Sequence, residues 1–190
     1  MQAPSVLNDT ACGTPPHTID GSSMNEQRQN IDTSISEDVR AMIGVERARQ
    51  YEVTRRDIKR FAQAIGEVNP IHFDEDYAKT TRYGAIVAPP LFCQMFTFED
   101  VPPDRLPADG SPIEMEVPLP ARRTVGGASS YEIFQRVRTG DTITAKSRLK
   151  DVFAKEGRSG RLYFIVVETE FSNQRNQLVA KETATYIKRA

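Results

Sequence analysis

The sequence predicts a single α+β domain in which an antiparallel sheet wraps around a central apolar helix. Helical patterns are concentrated in residues 37–98, strand patterns follow one another from residue 129 to residue 187, and the helix predicted for residues 91–98 has almost no polar face. Helices that are separate from a run of strands indicate an α+β domain, because α/β folds alternate the two. A helix that is apolar on all sides must be surrounded by other structure.

Residues 1–36 differ from the rest of the 190-residue chain, because all the aromatic residues, six Tyr and nine Phe, lie at residue 51 or later. A segment with so little apolar surface to bury cannot offset the entropy lost when it is ordered. We therefore expect a disordered polar leader over residues 1–36. One folded domain should occupy residues 37–190, since a chain of this length is short for two domains.

The composition argues against several classes of protein. The 25 Lys and Arg residues are balanced by 26 Asp and Glu, so we expect no nucleic-acid partner. The most apolar stretch, residues 85–92, contains Pro89 and Pro90 and is far shorter than the roughly 20 residues of a membrane span. With two cysteines and no basic start followed by an apolar run, we expect a cytoplasmic protein without disulfides.

Local signals position the first helices and the first strand. A short helix over residues 37–43 should end at Gly44, and residues 49–53 alternate weakly, as a strand would. Thr54 followed by Asp57 resembles a capping box, after which apolar residues recur at helical spacing until Gly66. That apolar stripe comprises Ile58, Phe61, Ala62 and Ile65.

Prolines interrupt the middle of the chain. Asn69 and Pro70 predict a turn, which a short polar helix over residues 74–81 follows. Pro89 and Pro90 precede the apolar helix over residues 91–98, since proline is tolerated where a helix begins. Residues 101–120 hold six of the twelve prolines, and we expect this long connection to cover a groove.

Four consecutive strands are predicted for the second half of the chain. We place them at residues 129–137, 143–150, 162–167 and 178–187. Gly140 and Asp141 mark the first turn, and residues 157–160 and 172–177 should form hairpin loops. A twisted sheet of these strands, curled around the helix that begins at Leu91, is the hotdog fold.

One group of residues has the chemistry expected of a catalytic site. Glu67 and His72 lie on either side of a turn fixed by Pro70, which can bring two titratable side chains together. A histidine titrates near neutral pH, and a carboxylate can orient its ring or help to activate water. The structural alternative is a buried His72 satisfied by a backbone carbonyl and a solvated Glu67 at a helix end.

The sequence resembles the MaoC-like dehydratase and (R)-specific enoyl-CoA hydratase family, in particular its N-terminal dehydratase type. The similarity extends over about residues 37–188 and rests on residues 67–72, Asp74, Ala78, Tyr83 and residues 86–92, 136–141 and 157–162. It implies a hotdog fold and reversible hydration of trans-2-enoyl thioesters, equivalent to dehydration of 3-hydroxyacyl thioesters. The implied acyl carrier is coenzyme A or acyl carrier protein, and no metal or redox cofactor is implied.

In that family an aspartate and a histidine in the pattern D-x-N-P-x-H activate water and move the protons. The resemblance implies these catalytic roles for His72 and Glu67, with Asn69 in the binding site. Glu67 departs from the pattern by one methylene, and a displacement on the order of 1 Å can cost about 100-fold in rate. Because some hotdog subunits bind acyl groups for a catalytic partner, an acyl-binding subunit is an alternative function, and a hotdog thioesterase is a third.

The resemblance also implies how the thioester is held. Backbone N–H groups after Pro90 would polarise the thioester carbonyl, and Leu91 and Phe92 would line the acyl tunnel. Tyr83 either hydrogen-bonds near the site or simply packs. A homodimer, or a heterodimer with another MaoC-like hotdog subunit, is implied, with the site closed at the interface.

Two arginine pairs and one cysteine complete the candidates. Arg122 with Arg123, and Arg158 with Arg161, either hold coenzyme A phosphates or are solvated residues at turns and rims. Cys93 lies in the apolar helix, and we expect a small core residue there rather than a nucleophile.

Overall fold

A computed structural model describes residues 35–97, 102–105, 117–158 and 160–189, which all belong to one compact unit spanning residues 32–190. Its strands are β1 (Glu46–Glu52), β2 (Arg123–Ile133), β3 (Thr142–Gly157), β4 (Gly160–Ser172) and β5 (Leu178–Arg189). They form one antiparallel sheet in the order β1–β3–β4–β5–β2. The predicted α+β hotdog architecture is confirmed.

Helices occupy the first half of the described chain. They are α1 (Glu37–Ala41), α2 (Arg55–Ala64) and α3 (Glu75–Thr80), with 3₁₀ helices at Pro70–His72, Phe92–Thr97 and Pro103–Arg105. Within the described residues, none of the helices has the length and hydropathy needed to cross a bilayer.

The predicted signals at the ends of α2 are confirmed. The Thr54 hydroxyl accepts the N–H of Asp57 at 3.2 Å, while the Asp57 carboxylate accepts the N–H of Thr54 at 3.0 Å. This reciprocal capping satisfies two N–H groups that would otherwise lack partners at the helix start. Beyond the helix, Gly66 has a φ of +71°, a left-handed conformation that only glycine adopts without strain.

The strands follow the predicted order, and their hairpins occur at the expected loops. β3 and β4 are joined at residues 158 and 159, and β4 and β5 at residues 173–177. β2 begins at Arg123, six residues before the predicted start, and ends at Ile133 rather than at residue 137. A bulge between Gly126 and Ala128 lets this long edge strand stay paired with β5.

One face of the sheet carries two separate apolar clusters. The first packs α2 and the Phe92–Thr97 helix against the sheet, and its largest fully buried members include Ile58, Phe92 and Phe171. The second packs α1 against the opposite end of the same face, around Ile165 and Val167. The helices therefore cover the two ends of the face rather than forming one continuous layer.

A row of polar side chains crosses the sheet between the two clusters. The register places these five residues directly opposite one another on the five strands: Arg47, Ser147, Thr169, Glu182 and Tyr131. The Ser147 and Thr169 hydroxyls are 3.0 Å apart, and the Glu182 side chain belongs to a residue only 3 % exposed. We call this set the polar row.

The predicted apolar helix over residues 91–98 is wrong in type, and its predicted burial holds for Phe92, Cys93 and Phe96 but not for the whole segment. The chain forms a 3₁₀ helix over Phe92–Thr97, with Leu91 and Met95 each 42 % exposed, and Phe98 lies outside the described residues. Leu91 has a φ of +66°, which a right-handed helix cannot include. A helix therefore cannot run on from the two prolines through this residue, and it begins only at Phe92.

The predicted leader lies mostly outside the described residues, apart from its last two positions. Ile35 is buried in the second apolar cluster, and the Ser36 hydroxyl accepts the N–H of Val39 at 3.4 Å as the N-cap of α1. Residues 35 and 36 therefore belong to the folded domain, because their apolar and hydrogen-bonding groups are used there. Most of the expected groove cover, residues 101–120, also lies outside the described residues.

Candidate active site

His72 is held in a fixed orientation by the turn that precedes it. The Asn69 side-chain oxygen accepts the N–H of Ile71 at 3.1 Å, and Pro70 supplies the first position of the 3₁₀ helix Pro70–His72. The His72 residue is 5 % exposed, and its Nδ1 lies 2.6 Å from the carbonyl oxygen of Val87. Because a carbonyl only accepts, Nδ1 carries the proton and Nε2 holds the free lone pair.

The carbonyl that holds His72 is itself fixed to the sheet side of the domain. Val87 forms an isolated antiparallel bridge with Arg138, and the N–H of Ala88 donates to the carbonyl of Val137 at 2.8 Å. Val87 and Ala88 are each 1 % exposed. The imidazole is therefore anchored to a rigid segment that leads directly into Pro89 and Pro90.

Glu67 stands at the end of α2 with its carboxylate turned towards its own backbone. Its Oε1 accepts the N–H groups of Asn69 at 3.0 Å and Val68 at 2.9 Å. These two bonds, Asn69 first, lower the pKa of Glu67, and the nearby His72 lowers it further. The Glu67 carboxylate is thus bonded to its own backbone. His72 is oriented by its hydrogen bond to the Val87 carbonyl and not by Glu67.

Residues 89–93 form one wall of a small cavity. The cavity is small, with a volume of about 20 Å³, and strands β2 and β5 form its other side. Leu91, in its left-handed conformation, lies in this wall, at a backbone cost of roughly 1–2 kcal/mol for a residue with a Cβ. Phe92 is 1 % exposed and contributes to both the wall and the first apolar cluster.

The structure brings only some of the predicted site residues together. Pro90, Leu91 and Phe92 share the small cavity, whereas His72 and Glu67 line neither of the two best-formed cavities of the described residues. A larger cavity, of about 190 Å³, lies between α1 and strands β1, β3 and β4, and no predicted site residue lines it. The imidazole therefore lies outside both of these cavities.

Tyr83 lies between two guanidinium groups. Arg82 Nη2 donates to the Tyr83 hydroxyl at 2.6 Å, and this bond is the largest cause of a lowered Tyr83 pKa, to which Arg136 also contributes. Arg136 lines the small cavity beside Leu91. The Tyr83 hydroxyl therefore has a hydrogen-bond partner in Arg82 and interacts with Arg136, which lines the cavity.

The sequence interpretation missed the buried polar groups behind the same cavity. Burial and the neighbouring Glu182 carboxylate raise the pKa of Tyr131, which lines the cavity, and burial, followed by Glu182, raises the pKa of Cys93 to about 12. Cys93 is thus a buried residue whose thiol stays protonated, as expected of a core position. The available signal was Glu182 at an inward position between Ala180 and Ala184 in an otherwise small or apolar series.

The predicted phosphate-binding arginines are exposed and lie away from both cavities. Arg122 and Arg123 begin strand β2, and Arg158 lies in the β3–β4 hairpin. Arg161 donates to Glu156 at 2.6 Å, so its charge is already paired. Across the described part of the chain, no three His, Cys, Asp or Glu side chains are grouped so that they could hold a metal ion.

Comparisons with known proteins agree with this architecture. A UPF0336 protein of Streptomyces avermitilis is 32 % identical over 108 residues, which cover 56 % of this chain and 67 % of that protein. The R-hydratase PhaJ1 of Pseudomonas aeruginosa has a similar structure, with a TM-score of 0.58 at 19 % identity, over 77 % of this chain and 81 % of that one.

The HadBC (3R-hydroxyacyl-ACP dehydratase) complex of Mycobacterium tuberculosis is also similar in structure. Its TM-score is 0.59 at 20 % identity, over 77 % of this chain and 96 % of that one. These structural similarities establish the shared fold. The family model of the FAS1-like dehydratase domain region matches residues 41–182. This chain therefore belongs to the FAS1-like dehydratase region family, and the resemblance to MaoC-like dehydratases is confirmed.

Proposed function

We propose that this protein is a hydro-lyase that adds water reversibly to trans-2-enoyl thioesters and so interconverts them with 3-hydroxyacyl thioesters. Family membership supports a dehydratase at the level of reaction class. The single observation on which the proposal rests is the geometry of His72, a buried imidazole with Nδ1 bonded to the Val87 carbonyl.

That hydrogen bond defines the chemistry open to the ring. With its proton on Nδ1, the imidazole has a basic Nε2 and can take a proton there. The Val87 carbonyl still accepts the Nδ1 hydrogen when the ring takes a proton at Nε2, and the nearby Glu67, whose pKa is lowered by its backbone hydrogen bonds, is an anion. The hydrogen bond that gives the buried Nδ1–H of His72 its acceptor thus also leaves Nε2 available for acid–base chemistry.

In the proposed hydration, Nε2 of His72 takes one proton from water while the water oxygen forms a bond to C3 of the enoyl group. The C2–C3 π electrons move towards the thioester carbonyl, which becomes an enolate. A proton is then delivered to C2, from the imidazolium or through Glu67, and the net change is addition of one water. Dehydration follows the same steps in reverse.

The developing enolate requires hydrogen-bond donors at the carbonyl oxygen, for which we propose the backbone N–H of Leu91. The left-handed turn at Leu91 departs from the helix just before Phe92, so its amide lies outside the hydrogen-bonding pattern of the 3₁₀ helix. Donors already positioned at the oxygen commonly contribute several kcal/mol to such reactions. Pro90 and Phe92 would hold the acyl group against the cavity wall, and Asn69 would keep the catalytic turn in shape.

The test is turnover of a short enoyl-CoA, followed as loss of the conjugated thioester. We expect His72→Gln to lose at least about 100-fold in kcat, and the matched variant of the other histidine, His17→Gln, to keep the parent rate. Full activity of His72→Gln, in a protein that unfolds at the parent temperature, would remove His72 from the mechanism. Glu67→Asp tests the extra methylene, and a rise in kcat would show that Glu67 limits the rate.

A second candidate function is an acyl-thioester-binding subunit that works beside a separate catalytic hotdog chain. Two observations favour it: the Glu67 carboxylate is bonded to its own backbone, and neither Glu67 nor His72 lines either of the two cavities described above. Under this alternative the chain is inactive alone and active when co-expressed with a MaoC-like subunit that carries an intact Asp/His pair. If instead a homodimer completes the site, the chain should be active without that subunit. A thioesterase would be detected separately, by measuring the free thiol that it releases.

A further inference from the structure

The rim of the small cavity holds positive charge that the proposed reaction itself does not use. The Arg82 guanidinium donates to the Tyr83 hydroxyl at 2.6 Å, and its central carbon lies 4.8 Å from the Tyr83 ring centre. Arg136 approaches the same hydroxyl and also lines the cavity with Leu91. Two guanidinium groups therefore converge on one phenol.

Neither guanidinium is neutralised by a carboxylate in the part of the chain that the structure describes. Arg82 and Arg136 form no ion pair there, whereas Arg55, Arg148 and Arg161 each pair with a glutamate. In addition, Nη1 of Arg136 is shielded from solvent and has no acceptor among the described residues. A buried guanidinium N–H without an acceptor costs free energy. A ligand that offered an oxygen to this nitrogen would remove that cost.

We propose that Arg82, Tyr83 and Arg136 bind a phosphate group of the carrier to which the acyl chain is attached. The inference rests on the proposed function, because it takes the thioester to lie at Leu91 in the adjoining wall. Guanidinium groups bind phosphate oxygens through paired N–H donors, and Arg136 Nη1 would gain its acceptor. The Tyr83 hydroxyl accepts from Arg82, so its own hydrogen is available to a phosphate oxygen.

The assignment differs from the expectation drawn from the sequence. Arg158, one of the arginines considered for phosphate binding, is exposed in a hairpin and lines neither cavity. Arg136 combines a cavity-lining position with a nitrogen that has no acceptor within the described ranges, and Arg82 adds a second guanidinium through Tyr83. The phosphate site is therefore assigned to the Tyr83 rim and not to the hairpin.

The test compares carriers with and without phosphate. Wild type, Arg82→Gln and Arg136→Gln are assayed with the same enoyl group on coenzyme A, on 4′-phosphopantetheine and on pantetheine, which has no phosphate. We expect the ratio of kcat/KM for the coenzyme A thioester to that for the pantetheine thioester to fall about 10-fold or more in each variant. Arg189→Gln, an exposed arginine at the far end of β5, should leave the ratio unchanged.

The 4′-phosphopantetheine thioester identifies which phosphate is bound. If its kcat/KM falls as much as that of the coenzyme A thioester, the site binds the phosphate nearest the pantetheine, which both carriers share. If only the coenzyme A thioester is affected, the site binds the nucleotide phosphates. Equal losses on all three thioesters, no loss at all, or a larger loss in Arg158→Gln would overturn the proposal.

A binding measurement separates this inference from the proposed function. Calorimetric titration of free coenzyme A and of pantetheine into the full-length chain requires no turnover. If the chain is catalytically inactive but binds coenzyme A more tightly than pantetheine, and if Arg136→Gln removes that difference, the phosphate site stands and the hydro-lyase activity does not. The absence of any difference in wild type would overturn the phosphate site, whatever the chain catalyses.

Discussion

Replacing Glu168 with glutamine should destabilise the domain through a loss of charge pairing. Glu168 lies on β4, on the sheet face opposite the polar row, and the residue is only 3 % exposed. Three cations surround its carboxylate: Lys150 Nζ at 3.0 Å, Lys181 Nζ at 3.4 Å, and Arg148. The Glu168→Gln variant keeps the shape of the side chain and removes the charge that these three cations share.

The size of the effect follows from the Glu168 pKa. Hydrogen bonds from Lys150, and then from Arg148 and Lys181, lower the pKa from an ordinary 4.5 to about 2 in spite of the opposing effect of burial. This difference corresponds to an upper limit of about 3 kcal/mol. Because the Arg148 and Lys150 side chains are 44 % and 51 % exposed, solvent screens the pairing, and we expect a loss of about 1–2 kcal/mol at pH 7.

The pH dependence distinguishes lost charge from lost packing. A carboxyl whose pKa is lower in the folded than in the unfolded state contributes its full stabilisation of the fold when the pH is above the unfolded-state pKa. That contribution disappears as the pH falls towards the folded-state pKa. In urea denaturation between pH 3 and pH 7, wild type and Glu168→Gln should differ by a constant amount above about pH 5. Their unfolding free energies should converge as the pH falls below about 4.5.

Glu170→Gln is the matched control for this experiment. Glu170 lies two residues further along the same strand, its carboxylate is 49 % exposed, and it contacts Lys181 at 3.5 Å. An exposed pair of this kind should change stability by less than about 0.5 kcal/mol. A Glu168→Gln loss that stays the same down to pH 3, or that matches the Glu170 loss at pH 7, would refute the charge-pairing argument.

Three further substitutions test the fold. Gly127→Ala should lower the free energy of unfolding by about 1–3 kcal/mol, because its Cβ would lie 2.9 Å from a backbone oxygen of β5. Gly126→Ala, whose Cβ would meet open space, should lower it less, and chemical denaturation compares the two variants. Thr54→Ala should remove about 1 kcal/mol by loss of the α2 cap, measured in the same way, and an unchanged midpoint would contradict the capping role. Cys93, in a Cys12→Ser background, should react with a thiol reagent at pH 8 only as fast as the domain opens, since burial raises its pKa to about 12, and immediate labelling would contradict this.

Sequence predicted the elements whose signals are local. The cap at Thr54, the turn at Gly66 and the hairpins of the second half are set by residues within a few positions of one another, and each was found where expected. The apolar helix was predicted on composition alone. Composition does not reveal that Leu91 adopts a left-handed φ after two prolines; because of this one backbone angle the helix begins only at Phe92, and Leu91 itself is left exposed.

The candidate site shows a similar division between local and distant contacts. The order of Glu67 and His72 across a proline turn was visible in the sequence, but the partner of His72 was not. Val87 lies fifteen residues further on and contributes only its backbone carbonyl, which any residue type can supply. Tyr131 and Glu182 meet through strand register between β2 and β5, and no local pattern specifies that register.

The polar row divides the interior into two apolar compartments with a band of hydroxyl and carboxylate groups between them. An alkyl chain that passed from the compartment beside Phe92 to the one beside Ile165 would have to lie against Glu182, with no hydrogen bond to offer it. Glu182, Thr169 and Ser147 are already at most 7 % exposed, so passage would require them to give up neighbours that now cover them. A buried polar group that loses a hydrogen bond in this way costs roughly 1–3 kcal/mol. The polar row thus separates the apolar surface around Phe92 from that around Ile165, so a hydrophobic group bound against one of them finds no continuous apolar path to the other.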